Sequence, residues 1–155
     1  MENQEQISFG LRKITTQQFA VIESAFDDKD NNIELGTGLR FGYNLDKKNI
    51  IVLFSINFSQ NKNPFLILEI GCYFEIVNDH WDNLYDSNLN VIKLPIALAR
   101  HLVMLSVGTI RGVLHAKTEN TVFNKFFLPT VNVNELVIED VIIKTIDENL
   151  KEIEP

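Results

Sequence analysis

The stretch "LPIALARHLVMLSVGTIRGVLHAKT", Leu94 to Thr118, decides how the rest of the chain is read. Pro95 suits the first turn of a helix, where its missing N–H costs nothing. A helix from there to about Lys117 would be roughly 33 Å long at about 1.5 Å per residue. Its apolar residues cover more than one stripe. Leu98, Leu102, Leu105 and Val113 fall on one side, and Ile96, Val103, Val107, Ile110 and Leu114 on an adjacent one. Only a narrow wedge holding Arg100, His101, Arg111 and His115 is polar. A helix in a small domain with one core needs one apolar stripe, so the second stripe asks for a second surface. Gly108 and Gly112 each cost up to about 1 kcal/mol relative to alanine inside a helix. Their spacing allows close approach either of another helix or of the protein's own sheet. The charges within the stretch argue against a membrane span, which wants about 20 mostly apolar residues.

Outward from the helix, the preceding chain reads as strands. In "IELGTGLRFGY" the apolar residues Ile33, Leu35, Leu39, Phe41 and Tyr43 recur at period two. "NIIVLFSINFSQ" repeats the pattern at Ile50, Val52, Phe54, Ile56 and Phe58, and "PFLILEIGCYFEIV" at Leu66, Leu68, Ile70, Cys72, Phe74 and Ile76. Short turn-like links, "NLDKKN" and "QNKN", imply an antiparallel meander. The other face of the third strand carries Phe65, Ile67 and Tyr73 beside Glu69 and Glu75, so it is not cleanly polar. "TTQQFAVIESAF" suits a strand or a short helix, with strand preferred. "NDHWDNLYDSNLN" reads as a polar loop anchored by Trp81 and Tyr85. The segment around Pro129 reads as irregular, "VIEDVIIKTI" as strand or helix, and the end, from about residue 145, as an acidic tail.

With 155 residues the chain suits a single domain with a substantial core. A net charge of −7 makes a phosphate backbone an improbable partner, so no nucleic acid is expected. The single cysteine, Cys72, sits in an apolar run and reads as a small buried hydrophobe in a reducing compartment. The opening "MENQEQ" has neither a basic start nor an apolar segment, so no signal peptide is expected. His101 and His115 lie fourteen residues apart, about 21 Å along a helix axis, too far to share a metal. Gly36-Thr37-Gly38 falls mid-strand and is no phosphate cradle. Asn57-Phe58-Ser59 matches a glycosylation acceptor without other signs of secretion. Glu69 and Glu75 are about 20 Å apart along a strand, too far to share a proton. No metal, cofactor or enzymatic activity is expected.

The order of elements is strands, then Leu94-Pro95, a long helix reaching Arg111-Gly112, and then Pro129-Thr130-Val131-Asn132-Val133. It resembles the SecB family of export chaperones. The divergent SecB-like branch carries the running pattern "TVGTxRGxLxAKTEGTxxNKFxLPxxNV", which here reads "SVGTIRGVLHAKTENTVFNKFFLPTVNV" from Ser106 to Val133. "ITTQQFAV" and "GLRFGY" also fit, so the likeness runs from about Leu11 to Leu136. It implies an α+β fold, a four-stranded antiparallel sheet packed on a long helix. It implies a homotetramer, a dimer of dimers, with the oligomer interface at Ile96, Val103, Val107, Gly108, Ile110, Gly112 and Leu114. It further implies a cytoplasmic, ATP-independent holdase that binds unfolded preproteins and passes them to the SecA motor of the Sec translocase, with no direct membrane insertion. Phe65, Ile67, Tyr73, Phe123, Phe126, Phe127 and Leu128 are then the candidate client surface, although Phe126 and Leu128 equally suit a core. Glu69 and Glu75 are the nearest equivalents of the motor-binding acidic patch. The alternatives are a chaperone dedicated to the antitoxin of a toxin–antitoxin pair, or a non-catalytic oligomeric binding protein.

Overall fold

The computed structural model describes residues 6–144. Its main sheet has four antiparallel strands, β1 (Phe9–Val21), β2 (Glu34–Asn44), β3 (Asn49–Gln60) and β4 (Asn63–Ile76), in the order β1-β4-β3-β2. The meander expected from period two is β2-β3-β4. Asn61 and Lys62, both at positive φ, close the β3–β4 hairpin in the two-residue turn that matches strand twist. β1 returns to the far edge and pairs with β4, Phe9 opposite Ile76 and Val21 opposite Leu66, with register shifts at Leu11/Lys13 and Thr16/Gln18.

The segment expected to be a polar loop is ordered. It contains helix α1 (Asn78–Leu84), which buries Trp81 and Leu84, and strand β5 (Tyr85–Asp86). β5 pairs with β6 (Val91–Leu94), and β6 with β7 (Val141–Ile143), in a second, three-stranded sheet. Periodicity missed α1 because seven residues hold too few turns to display a stripe. The long helix α2 runs Ile96–Thr118 with Pro95 as its N-cap residue. The irregular segment after it holds a 3-10 turn at Val122–Lys125 and the single-turn helix α3 (Val133–Leu136). The acidic tail expected from about residue 145 lies outside the described residues.

One face of the main sheet is packed against α2, and together they form the core. Phe54, Phe74, Ile50, Ile70, Leu68, Leu102, Val103 and Ile110 are fully excluded from solvent. Burying each such aliphatic or aromatic side chain stabilises by about 1.5–3 kcal/mol before conformational entropy is subtracted. Within the described residues α2 is the one helix long and apolar enough to cross a membrane, with a mean hydropathy of 1.3. Its apolar side is occupied by the sheet.

This arrangement corrects the division of the helix into two stripes. Val103, Val107, Ile110 and Leu114, expected at a subunit interface, are buried inside the subunit together with Leu98 and Leu102. Ile96 and Val113 pack on the rim of the same core. Leu105, expected against the sheet, is 40% exposed. The sheet is wide and the helix lies flat on it, so one broad stripe suffices where two narrow ones were drawn. Of the proposed interface residues, Gly108 and Gly112 alone face outward, and a Cβ built on either meets nothing within 4 Å. The close approach they permit is therefore not to this subunit's own sheet.

Candidate functional site

The exposed side of α2 borders two surfaces. On one side lies edge strand β1. Leu11, Ile14 and Phe19 pair with Phe74, Cys72 and Leu68, so they share the sheet face on which α2 lies. They reach beyond the helix and remain at least one-third exposed. Phe9 meets His101 edge-on at 5.3 Å, and the Lys117 ammonium sits 5.2 Å from the Phe19 ring. These contacts trace the seam between helix and edge strand. Leu105 and Met104, also exposed, complete an apolar band beside Gly108 and Gly112.

On the other side a groove of 690 Å³ runs between α2 and the segment from Leu128 to Asn134. Met104, Val107 and Gly108 line its helix wall, and Leu128, Pro129, Val131 and Val133 the opposite one. Arginines hold the two walls together. Arg111 donates from Nε to the Leu128 carbonyl at 3.0 Å and from Nη2 to the Pro129 carbonyl at 2.7 Å. Arg100 donates from Nε to the Val137 carbonyl at 2.9 Å. An extended segment with no strand beside it leaves its carbonyls unpaired, and a guanidinium fork is suited to collect them. Asn132 then caps α3, accepting from the Asn134 N–H at 3.2 Å and donating to Glu135 Oε1 at 2.8 Å. Periodicity carried no signal for this groove, because its outer wall is irregular up to the single turn of α3. The motif Arg111-Gly112 with Leu128-Pro129 was legible, but not the bond between its halves.

The candidate client residues divide. Phe65 and Phe123 are buried and cannot form an open surface, and Leu128, 3% exposed, contributes only as part of the groove wall. Alternation puts Phe65 on the outer sheet face with Ile67 and Tyr73. A register shift at Phe58/Ser59 breaks that alternation and turns both Phe65 and Leu66 inward. There Phe65 joins a five-ring cluster with Phe26, Phe58, Phe123 and Phe126, centroids 4.9 Å from Phe26 and 5.1 Å from Phe126. Phe126 is half-buried in this cluster, and Phe127 points out, 60% exposed.

Ile67 and Tyr73 stay on the outer sheet face and are partly covered. Gly71 explains their setting. A Cβ there would lie 2.7 Å from Thr15 Oγ1 and 3.3 Å from Leu53 Cδ2. Its absence lets Thr15, Leu53 and Tyr73 close over the sheet, so Leu53 and Ile51 are buried without a covering helix. Glu69 and Glu75 do not form an acidic patch. Arg40 Nη2 meets both oxygens of Glu69 at 3.1 Å, and Arg12 Nε meets Glu75 at 2.9 Å.

Cys72 lies under α2, and burial raises its thiol above the ordinary cysteine value, while bonds with Ser106 and Thr109 pull the other way. Among the described residues no three His, Cys, Asp or Glu side chains converge as metal ligands. No family model matches the chain, and no curated protein matches it.

Proposed function

We propose that the protein is a SecB-like, ATP-independent holdase of the cytoplasm, binding unfolded preproteins ahead of export through the Sec translocase. The observation that supports this reading is the open apolar groove beside α2, continuous through Met104 and Gly108 with the exposed helix face. A groove walled by Leu128, Val131 and Val133 suits an extended apolar segment of a client. Binding acts by mass action on the unfolded state and needs no nucleotide. The apolar band beside Gly108 and Gly112, and the unpaired main-chain edge of β1 that adjoins it, supply two kinds of contact between copies, side-chain packing and strand pairing, for a dimer of dimers. The client surface is accordingly Phe127 and the groove, Leu128 included as part of its wall, in place of Phe65 and Phe123.

A second reading is a chaperone dedicated to one partner, such as an antitoxin. The ion pairs of Glu69 with Arg40 and Glu75 with Arg12 favour it. They neutralise the patch on which the basic tail of the SecA motor would dock, although exposed pairs are worth only about 0–1 kcal/mol and yield to a competing cation.

The test is suppression of aggregation of a chemically denatured protein by an equimolar amount of tetramer, without nucleotide. Suppression of several unrelated clients is expected. No suppression of any of them rejects the general holdase. Capture from cell extract then separates the readings, many preproteins for the general role and one dominant partner for the dedicated one.

A further inference from the structure

Arg100, Met104, Val107, Gly108 and Arg111 recur every three or four residues along α2 and all line the groove. Met104 thus stands on the same helix face as the two arginines that fasten the outer wall. It is 57% exposed and is the one methionine among the described residues. Helical side chains lean toward the N-terminus, so the Met104 thioether is carried toward Arg100, one turn away. A side chain at position 108 would lean back over Met104, but Gly108 leaves that space open. The hold of Arg100 on the wall is uneven. Its Nε donates to the Val137 carbonyl at 2.9 Å, while its Nη2 reaches the Asn134 carbonyl only at 3.5 Å. A thioether sulfur is a weak acceptor and leaves those bonds undisturbed. Cys72, the other sulfur among the described residues, is fully buried under α2, so an oxidant in solution meets Met104 first.

We propose that Met104 is a modification site, oxidised by a peroxide to the sulfoxide, and that the sulfoxide unfastens the outer wall of the groove at Arg100. In the reaction a lone pair of the Met104 sulfur attacks one oxygen of hydrogen peroxide. The O–O bond breaks, the S–O bond forms, and the second oxygen leaves as water with both protons. The sulfur is oxidised and the peroxide reduced, with no other reactant. The product is reversible by enzymatic reduction. It places a strong acceptor beside the guanidinium, where the bond it accepts is charge-assisted. The long contact to the Asn134 carbonyl is lost first, and as the fork turns toward the sulfoxide the Val137 carbonyl loses its donor too. The segment between Leu128 and Val137 is then held by Arg111 and by packing alone. This inference stands apart from what the groove binds, because release of the wall is read without any client.

The test uses the full chain and hydrogen peroxide, at a dose that oxidises free methionine. Peptide mass mapping should find one added oxygen on Met104 and none on Cys72. Limited proteolysis within residues 128–137 should then run roughly tenfold faster, since cleavage follows the population of the open form. Circular dichroism should show the rest of the fold unchanged. Treatment with methionine sulfoxide reductases should restore resistance. Met104→Leu should resist proteolysis before and after peroxide, which separates Met104 from oxidation elsewhere. Met104→Gln, which carries an amide oxygen at the same place, should loosen the segment without any oxidant. Native Met104 that escapes oxidation overturns the proposal. So does an oxidised protein as resistant as wild type, a loss of the whole fold, or equal loosening of Met104→Leu by peroxide.

Discussion

Val107 is the residue at which sequence and structure disagree most usefully. The helical wheel places it on a stripe facing another copy, where aspartate would split an assembly and spare the subunit. It is 5% exposed, inside the subunit and at the floor of the groove. Val107→Asp therefore puts a charge into the core itself, at a cost on the order of 4 kcal/mol. The expected outcome is a large fall in the urea midpoint, read by circular dichroism. A folded subunit with altered sedimentation would contradict it. Cys72 gives a second check on the same core. Its thiol is buried under α2 and held protonated by that burial, and the thiolate is the reactive form. A thiol reagent should leave native protein unmodified for hours and react completely in denaturant. Rapid labelling of the native protein would mean that α2 lifts from the sheet.

For single elements, α2 shows which parts of the reading were within reach. Pro95, the apolar run and the change of composition near Thr118 located the helix to within one residue at each end. The helix face was misassigned because a wheel shows which residues share a direction but not how wide a surface they meet. β2, β3 and β4 were legible because period two persisted for ten residues or more. At Phe65 it failed, since a bulge leaves no mark on the alternation until it has shifted it. β1 gave a weak signal because the register shifts at Leu11/Lys13 and Thr16/Gln18 break its alternation, although Phe9, Leu11, Ile14, Phe19 and Val21 all fall on one face. The groove was invisible for a different reason. It is made by guanidinium bonds to carbonyls, and every residue has a carbonyl.

The same element carries two tests. Arg111→Ala leaves the Leu128 and Pro129 carbonyls without their donors, where charge-assisted bonds are worth about 1.5–3 kcal/mol each when sheltered and less at this half-exposed site. Limited proteolysis should then cut within residues 128–137 well below the melting temperature, while wild type resists. Equal resistance would show that the segment is held by packing alone. Gly108→Ala with Gly112→Ala adds methyl groups where the subunit has open space. Helix propensity should then stabilise the subunit by about 0.5–1 kcal/mol per site. If another copy's helix lies there, self-association should weaken at the same time. A higher melting temperature with unchanged association would remove the helix crossing.

In the whole molecule one group of exposed apolar residues spans two elements. Leu11, Ile14 and Phe19 of β1 and Met104 and Leu105 of α2 form one apolar band along the seam of helix and edge strand. Leu105→Glu changes an exposed position and should leave the fold intact. If the band joins copies in the proposed tetramer, sedimentation at micromolar concentration should show this variant as smaller species than wild type. An assembly unchanged by Leu105→Glu would place the interface elsewhere.

The placement of β1 has a consequence for how the chain is made. Its partner is β4, with Phe9 opposite Ile76 and Val21 opposite Leu66. A ribosome adding about 5–20 residues per second releases this strand several seconds before its partner emerges. Through that interval Leu11, Ile14 and Phe19 travel with the nascent chain as an unzipped edge, and the later loop closure is entropically slow. A protein read as a guardian of unfolded chains is thus, at its own birth, a customer for one.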